Sequence, residues 1–175
     1  MKTFTSERLI FRTLTKEDVS EEYVAWLNDP EVNQFLETRF SMQNLETCEQ
    51  FVMQMQNDSA SFLFGIFNKE LDKHIGNIKL GFINLRHSSC QLSLFIGEKS
   101  QWGKGFATES IQAVTQWGFS ELGLKRIEAG CYDNNMGSLR AFLKAGYAVE
   151  GFFKSSIIFG NKRIGSFWLG ITKDD

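Results

Sequence analysis

The sequence predicts an α+β domain built around a mostly antiparallel twisted sheet flanked by helices. Three observations lead there. The first third carries apolar residues at helical spacing. The middle changes to three strand-like runs joined by polar turns. The last part reads strand, turn, helix, strand, helix and a closing strand pair. The 175 residues are 42% hydrophobic and 14% aromatic, which suits a single domain, 1–175, with a sizeable core.

In order, Arg8–Arg12 reads as a short strand. Thr15 with Asp18 has the form of a capping box, ahead of Val19, Tyr23, Trp26 and Leu27 at helical spacing. That helix should stop near Asn28-Asp29-Pro30, because a proline disfavours helix in the residue before it. Glu31 to Leu36 suggests a further helical turn, and Leu45, Cys48, Val52 and Met55 mark a helix ending near Asn57-Asp58. Strands are expected at Ser61–Phe67, Ile75–Ile83 and Gln91–Ile96. In the third, Leu92, Leu94 and Ile96 alternate with Gln91, Ser93 and Phe95. Ala107, Ile111, Val114, Gly118 and Leu122 trace a helix face that Gly123 can end. Arg126–Tyr132 is the next strand. A short helix follows at Asn135–Ala145, with Leu139, Phe142 and Leu143 on one side and Gly146 past its end. Tyr147–Ile158 and Arg163–Ile171 flank the hairpin turn Gly160-Asn161-Lys162. The strand–helix–strand passage in the middle allows one parallel pair.

Composition narrows the function. Lys+Arg is 19 and Asp+Glu is 21, a net charge of −2 with no basic stripe, which argues against extended nucleic-acid binding. No apolar run approaches the ~20 residues that span a bilayer, and the start lacks the apolar core of a signal peptide, so no membrane partner is expected. Cys48, Cys90 and Cys131 are odd in number and far apart. With His74 and His87 they make no metal-ligand spacing. No metal is expected, and a reduced cytoplasmic setting is the simplest reading.

The most informative stretch is Gln101-Trp102-Gly103-Lys104-Gly105-Phe106-Ala107-Thr108-Glu109, which leaves a strand and opens a helix. Glycines at such a turn let a ligand approach the backbone, and a helix N-terminus offers amides to phosphate. A Walker loop does not fit, since Gly97 is one residue too far upstream and Gly105 stands where a hydroxyl should hold magnesium. A dinucleotide fingerprint would need glycine at Thr108. A tight turn with no ligand fits the Gly-x-Gly pattern equally well.

The wider context is more specific. Trp102 to Glu109 resembles the acetyl-CoA pyrophosphate loop of the GNAT N-acetyltransferase superfamily, and more narrowly its RimJ/RimL-like branch of ribosomal-protein N-terminal acetyltransferases. Asn135-Met136-Gly137-Ser138, then Phe142-Leu143-Lys144-Ala145-Gly146-Tyr147 and Glu150-Gly151, is similar to a second family segment. Ser6–Arg12 resembles the branch's opening strand and Trp26–Val32 its first helix end. The likeness spans nearly the whole chain in the right order.

The resemblance implies a GNAT fold with acetyl-CoA as donor and no metal. It implies amides from about Trp102 to Ala107, with Gln101 and Thr108 at the margins, facing the pyrophosphate. The strand end at Phe95 and Ile96 would pair with the pantetheine arm and polarise the thioester carbonyl. Asn135, Ser138 and Phe142 would line the same arm, with helix capping an equal use for Asn135. The chain departs from the family twice. Trp102 stands where Gln or Arg is usual, with Gln101 just before it. Phe142 stands where many members carry the tyrosine that protonates the leaving thiolate. Ser138 is the substitute the resemblance offers, and a local backbone bond is its plain alternative.

The attacking amine must be neutral, and a general base helps. Glu37, in the stretch where the family lines its acceptor pocket, is the candidate, with a solvated loop charge as its alternative. Glu98 and His87 read as solvated. Trp26, Phe35 and Phe40 read either as an aromatic acceptor wall or as core. The acceptor is a small-molecule or peptide amine: a protein N-terminus, a nucleotide-linked amino sugar or a polyamine. A coenzyme-A-binding regulator without turnover is the rival class, and a monomer or homodimer is expected.

Overall fold

The computed structural model describes residues 2–173. Eight strands make one sheet: β1 (Thr3–Thr5), β2 (Leu9–Thr13), β3 (Phe62–Asn68), β4 (Lys73–Asn84), β5 (Ser89–Ile96), β6 (Arg126–Tyr132), β7 (Ala148–Phe159) and β8 (Lys162–Thr172). Five helices accompany them: α1 (Glu21–Asn28), α2 (Pro30–Asn33), α3 (Leu45–Asn57), α4 (Phe106–Glu121) and α5 (Met136–Lys144). The sheet runs β1-β2-β3-β4-β5-β6-β8-β7 and is antiparallel except between β5 and β6. The expected mixed α+β architecture is therefore the one observed.

Two apolar clusters hold the layers together. Ile111, Val114 and Trp117 of α4, with Leu139 and Phe142 of α5, pack with Ile78, Leu80, Leu92, Ile127 and Leu169 of the strands. Tyr23, Val24, Trp26 and Leu27 of α1, with Cys48 and Val52 of α3, join Leu63 in the second. The alternation along β5 divides it between these faces, as period-2 side chains require. Leu92 is buried with the first cluster, and Phe95 packs against the second.

Several boundaries differ from expectation for local reasons. β1 precedes the first expected strand; it has only three residues and pairs with β2 through Thr3–Arg12, Phe4–Phe11 and Thr5–Ile10. The Thr15–Asp18 cap is present, with the Thr15 amide donating to Asp18 Oδ2 at 2.8 Å, but it starts only a single 3₁₀ turn. The α1 cap is Ser20, whose Oγ accepts from the Tyr23 amide at 3.1 Å. Leu143, expected on the buried side of α5, is 45% exposed. The three cysteines are buried free thiols.

The sheet opens at one place. β5 and β6 pair only through Ser89–Arg126, Cys90–Ile127 and Gln91–Glu128. Beyond that, β5 stays on β4 as far as Ile96, and β6 stays on β8 as far as Tyr132. The two inner edges diverge with backbone polar groups facing the gap, and such groups call for a partner or water. By register, Phe95 and Tyr132 stand level across the cleft.

Candidate active site

The chain leaves the cleft through a turn that is firmly tied down. Glu98 caps it, accepting from the Ser100 amide at 3.1 Å and from Lys73 Nζ at 2.6 Å. These bonds, that of Lys73 foremost, pull the Glu98 carboxyl down to about 2. Lys73 also meets Glu22 of α1 at 2.7 Å, and Lys99 meets Asp29 at 2.8 Å and Glu31 at 2.6 Å. Glu98 is thus paired, contrary to the solvated charge expected of it.

The next residues divide sharply. The Gln101 amide donates to Glu98 O and the Trp102 amide to Lys99 O, both at 3.0 Å. Gly103 (φ +75°) and Gly105 (φ +85°) then take left-handed conformations that favour glycine. The first bond into α4 runs from the Glu109 amide to Gly105 O at 3.0 Å. Among the described residues, no hydrogen bond is made by the amides of Gly103, Lys104, Gly105, Phe106, Ala107 or Thr108. Open amides at the positive end of a 16-residue helix form a cradle for an anion. The cradle starts one residue later than expected, because the amide of Trp102 is already spent. A Cβ at Gly103 would meet nothing within 4 Å, so its approach is clear.

Side chains around the cradle serve it differently. Trp102 donates its indole N–H to Ile96 O at 2.8 Å, closing the turn onto the end of β5. Gln101 is 7% exposed and donates to Ser100 Oγ at 3.1 Å. Lys104 is exposed. Phe106 and Phe142, at 6% and 2% exposure, are packed into the core rather than presented to a ligand. The Phe142 ring stands edge-on to Tyr147, whose hydroxyl lies 2.8 Å from Thr115 Oγ1. Asn135 caps α5 by accepting from the Ser138 amide at 3.1 Å. Ser138 is half-buried, and its hydroxyl makes no hydrogen bond among the described residues.

Arg8 is a residue the sequence reading left unassigned. Its Nε reaches Glu109 Oε2 at 2.7 Å and its Nη1 reaches Lys104 O at 3.0 Å, with the guanidinium over the Phe106 ring. No local pattern pairs Arg8 with Glu109, since the two lie 101 positions apart in the chain.

On the other face of the cleft, Glu37 approaches the last residue of β6. Glu37 Oε1 accepts from the Tyr132 hydroxyl and from Arg39 Nη1, the latter at 3.3 Å. Arg39 Nη1 also donates to the Tyr132 oxygen at 2.8 Å and to Leu36 O at 2.7 Å. Burial first, and then the Glu37 carboxylate, hold the Tyr132 phenol above its ordinary value. The three expected wall aromatics separate. Trp26 is buried near Tyr23, His74 and Phe95, Phe40 is 66% exposed, and Phe35 is half-buried between Tyr132 and Phe159. His87 is exposed. Tyr132 and Phe159 lie beside Glu37 and Phe35, where neither was expected; a polar aromatic closing a strand with alternating buried residues was the available cue.

Among the described residues no group of three or more His, Cys, Asp or Glu is placed to hold a metal. No helix of the described residues is long and apolar enough to cross a membrane.

Comparison with known proteins bears on the family and the fold. The family described as acetyltransferase (GNAT) domain matches residues 8–148. The uncharacterized N-acetyltransferase YoaA of Bacillus subtilis is 31% identical over 152 residues, covering 83% of this chain and 82% of that protein. A spermidine N-acetyltransferase from Vibrio cholerae, solved with CoA and spermine, superposes with a TM-score of 0.85 at 20% identity over 95% of this chain and 96% of that one. A ribosomal-protein-S5-alanine acetyltransferase from Vibrio fischeri superposes with a TM-score of 0.82 at 19% identity over 100% and 98%. Fold likeness at these identities does not separate the two kinds of acceptor, so it leaves the RimJ/RimL-like branch undecided. With residues 8–148 matched to that family, the chain belongs to the GNAT acetyltransferases and is an N-acetyltransferase.

Proposed function

We propose that the chain transfers an acetyl group from acetyl-CoA to a primary amine, in a complex holding both substrates. The observation that carries this reading is the run of six unpaired amides, Gly103 to Thr108, at the mouth of α4. These amides would hold the diphosphate, with exposed Lys104, whose Nζ lies 3.4 Å from Gln101 Oε1, adding its charge. The residues present fit the donor, since the cradle is open and the neighbouring strand gap leaves the inner edge of β5 for an extended arm, with Ile96 O already taken by the Trp102 indole.

Acetyl-CoA supplies an activated thioester. The chain's own groups do the rest. Amides at the end of β5 stabilise negative charge on the carbonyl oxygen as the amine attacks. The new C–N bond forms as the C–S bond breaks. The amine's proton passes to water at the cleft, the Ser138 hydroxyl gives its proton to the leaving sulfur, and water returns a proton to Ser138, so that CoA thiol and N-acetylated amine are released. Ser138 is suited to this because its hydroxyl is uncommitted, whereas Asn135 is occupied in capping α5. Holding both reactants in one cleft supplies much of the rate gain.

The test is direct. Acetyl-CoA should raise the melting temperature, and free thiol should appear when an amine panel of peptide N-termini, amino sugars and polyamines is added. Stabilisation by acetyl-CoA with no thiol release from any acceptor would contradict the proposed transfer.

A further inference from the structure

The cluster at Glu37 has a form that bears on which amine is accepted, and the inference rests on the acetyl-transfer reading above. Glu37 is the loop carboxylate of this wall, and its side chain is 78% exposed although Oε1 is engaged. Tyr132 and Arg39 both bond that one oxygen and so fix the carboxylate in place. Arg39 pairs with Oε1 from the protein side, and Oε2 makes no hydrogen bond among the described residues. The Arg39 side chain is only 14% exposed, its Nη1 is spent on Leu36 O, Glu37 and Tyr132, and its Nη2 reaches Ile158 O at 3.3 Å. Beside the carboxylate stand three aromatic rings. Phe35 lies edge-on to Tyr132 at 6.1 Å and stacked on Phe159 at 5.9 Å, and Phe159 lies edge-on to Tyr132 at 6.5 Å.

We propose that Glu37, held by Tyr132 and Arg39 beside the Phe35, Tyr132 and Phe159 rings, selects acceptors that carry a second positive charge apart from the reacting amine. A fixed, exposed carboxylate next to π-rich rings suits an alkylammonium, which both groups attract. Its unbonded Oε2 disfavours a nucleotide-linked sugar, whose phosphates it would repel, while the Arg39 guanidinium has both terminal nitrogens occupied. In this role Glu37 reads charge and does not take the proton. Aliphatic diamines and longer polyamines are the substrate class that follows.

The experiment compares 1,4-diaminobutane with n-butylamine, at equal acetyl-CoA, by free-thiol release. Wild type should favour the diamine in kcat/KM by about tenfold or more, the scale of one charge-assisted hydrogen bond. Glu37→Gln should collapse that ratio toward one by raising KM for the diamine. Tyr132→Phe, which leaves the carboxylate but removes one of its anchors, should lower the ratio in part. Calorimetric titration of 1,4-diaminobutane into protein saturated with CoA should show binding that Glu37→Gln weakens about tenfold. Equal use of both amines by wild type would overturn the proposal, as would a Glu37→Gln loss falling equally on kcat for both. Diamine binding that Glu37→Gln leaves unchanged would overturn it too, with or without turnover. Failure of acetyl-CoA to bind or to release thiol with any amine would instead sink the acetyl-transfer reading.

Discussion

Arg8 and Glu109 join the segment just before β2 to the helix that opens at the glycine turn. Glu109 Oε2 accepts from Arg8 Nε at 2.7 Å, while its Oε1 accepts from the Arg8 amide at 2.8 Å and from Ser6 Oγ at 2.7 Å. Burial pushes the Glu109 carboxyl up, but the bonds from Ser6 and Arg8 outweigh it and hold the group below its ordinary value. Glu109→Gln should therefore cost about 1–2 kcal/mol at pH 7, at the low end for hydrogen bonds to a charged group because Arg8 is partly exposed. Stability from a lowered carboxyl is present above the unfolded value of ~4.3 and is lost as pH falls through the folded one. Urea unfolding of both proteins across that range should show the gap closing toward acid. A gap that widens there would reject the assignment.

The glycine turn makes a second prediction. Gly103 and Gly105 both sit at positive φ, and the space at Gly103 is open. Gly103→Ala should cost about 1–2 kcal/mol from backbone conformation alone. Relaxation of that turn should also weaken acetyl-CoA binding, with the amine KM little changed. Calorimetry on the folded variant measures the first effect, and initial rates measure the second. A variant of full stability would show that the turn tolerates a side chain.

Ser138 gives a third. If its hydroxyl donates to the departing sulfur, Ser138→Ala should lower kcat about tenfold at pH 7. The deficit should shrink above the ordinary thiol value of ~8.5, where thiolate leaves without an acid. A pH–rate profile of the variant parallel to wild type throughout would remove Ser138 from the proton transfer.

The Glu98 cap gives a fourth. Lys73 and Ser100 draw its carboxyl to about 2, so its stabilisation is complete above ~4.3 and fades as pH falls toward about 2. Glu98→Gln should melt below wild type at pH 7, and the two curves should converge near pH 2. Thermal melts by circular dichroism decide this; equal melting temperatures at pH 7 would mean the cap contributes nothing.

Local patterns carried most of the fold. Apolar runs marked β3 and β4, which bury both faces, while period-2 alternation marked β5 and 3.6-residue spacing marked α3 and α4. β6 coincided with the expected Arg126–Tyr132, and Gly123 and Gly146 do follow α4 and α5 in left-handed conformations. β1 escaped because three residues carry too little pattern, and the Thr15 cap misled because a 3₁₀ turn uses the same chemistry as a helix start. The turn before α4 was legible as a glycine motif, but which amides are open was not. That depends on Glu98 and Lys99 carbonyls consuming those of Gln101 and Trp102. Arg8–Glu109 and Tyr132–Glu37 join residues far apart in the chain, and no local pattern reports such pairs.

The central claim is that the amides of Gly103 to Thr108 bind the diphosphate of coenzyme A. A ¹⁵N–¹H correlation spectrum of the protein, titrated with CoA and read amide by amide, tests it most directly. The account predicts the largest shifts at Gly103, Lys104, Gly105, Phe106, Ala107 and Thr108, with Gln101 and Trp102 moving less because their hydrogens are already engaged. Saturable binding that leaves those six signals in place, or no binding at all, would contradict it.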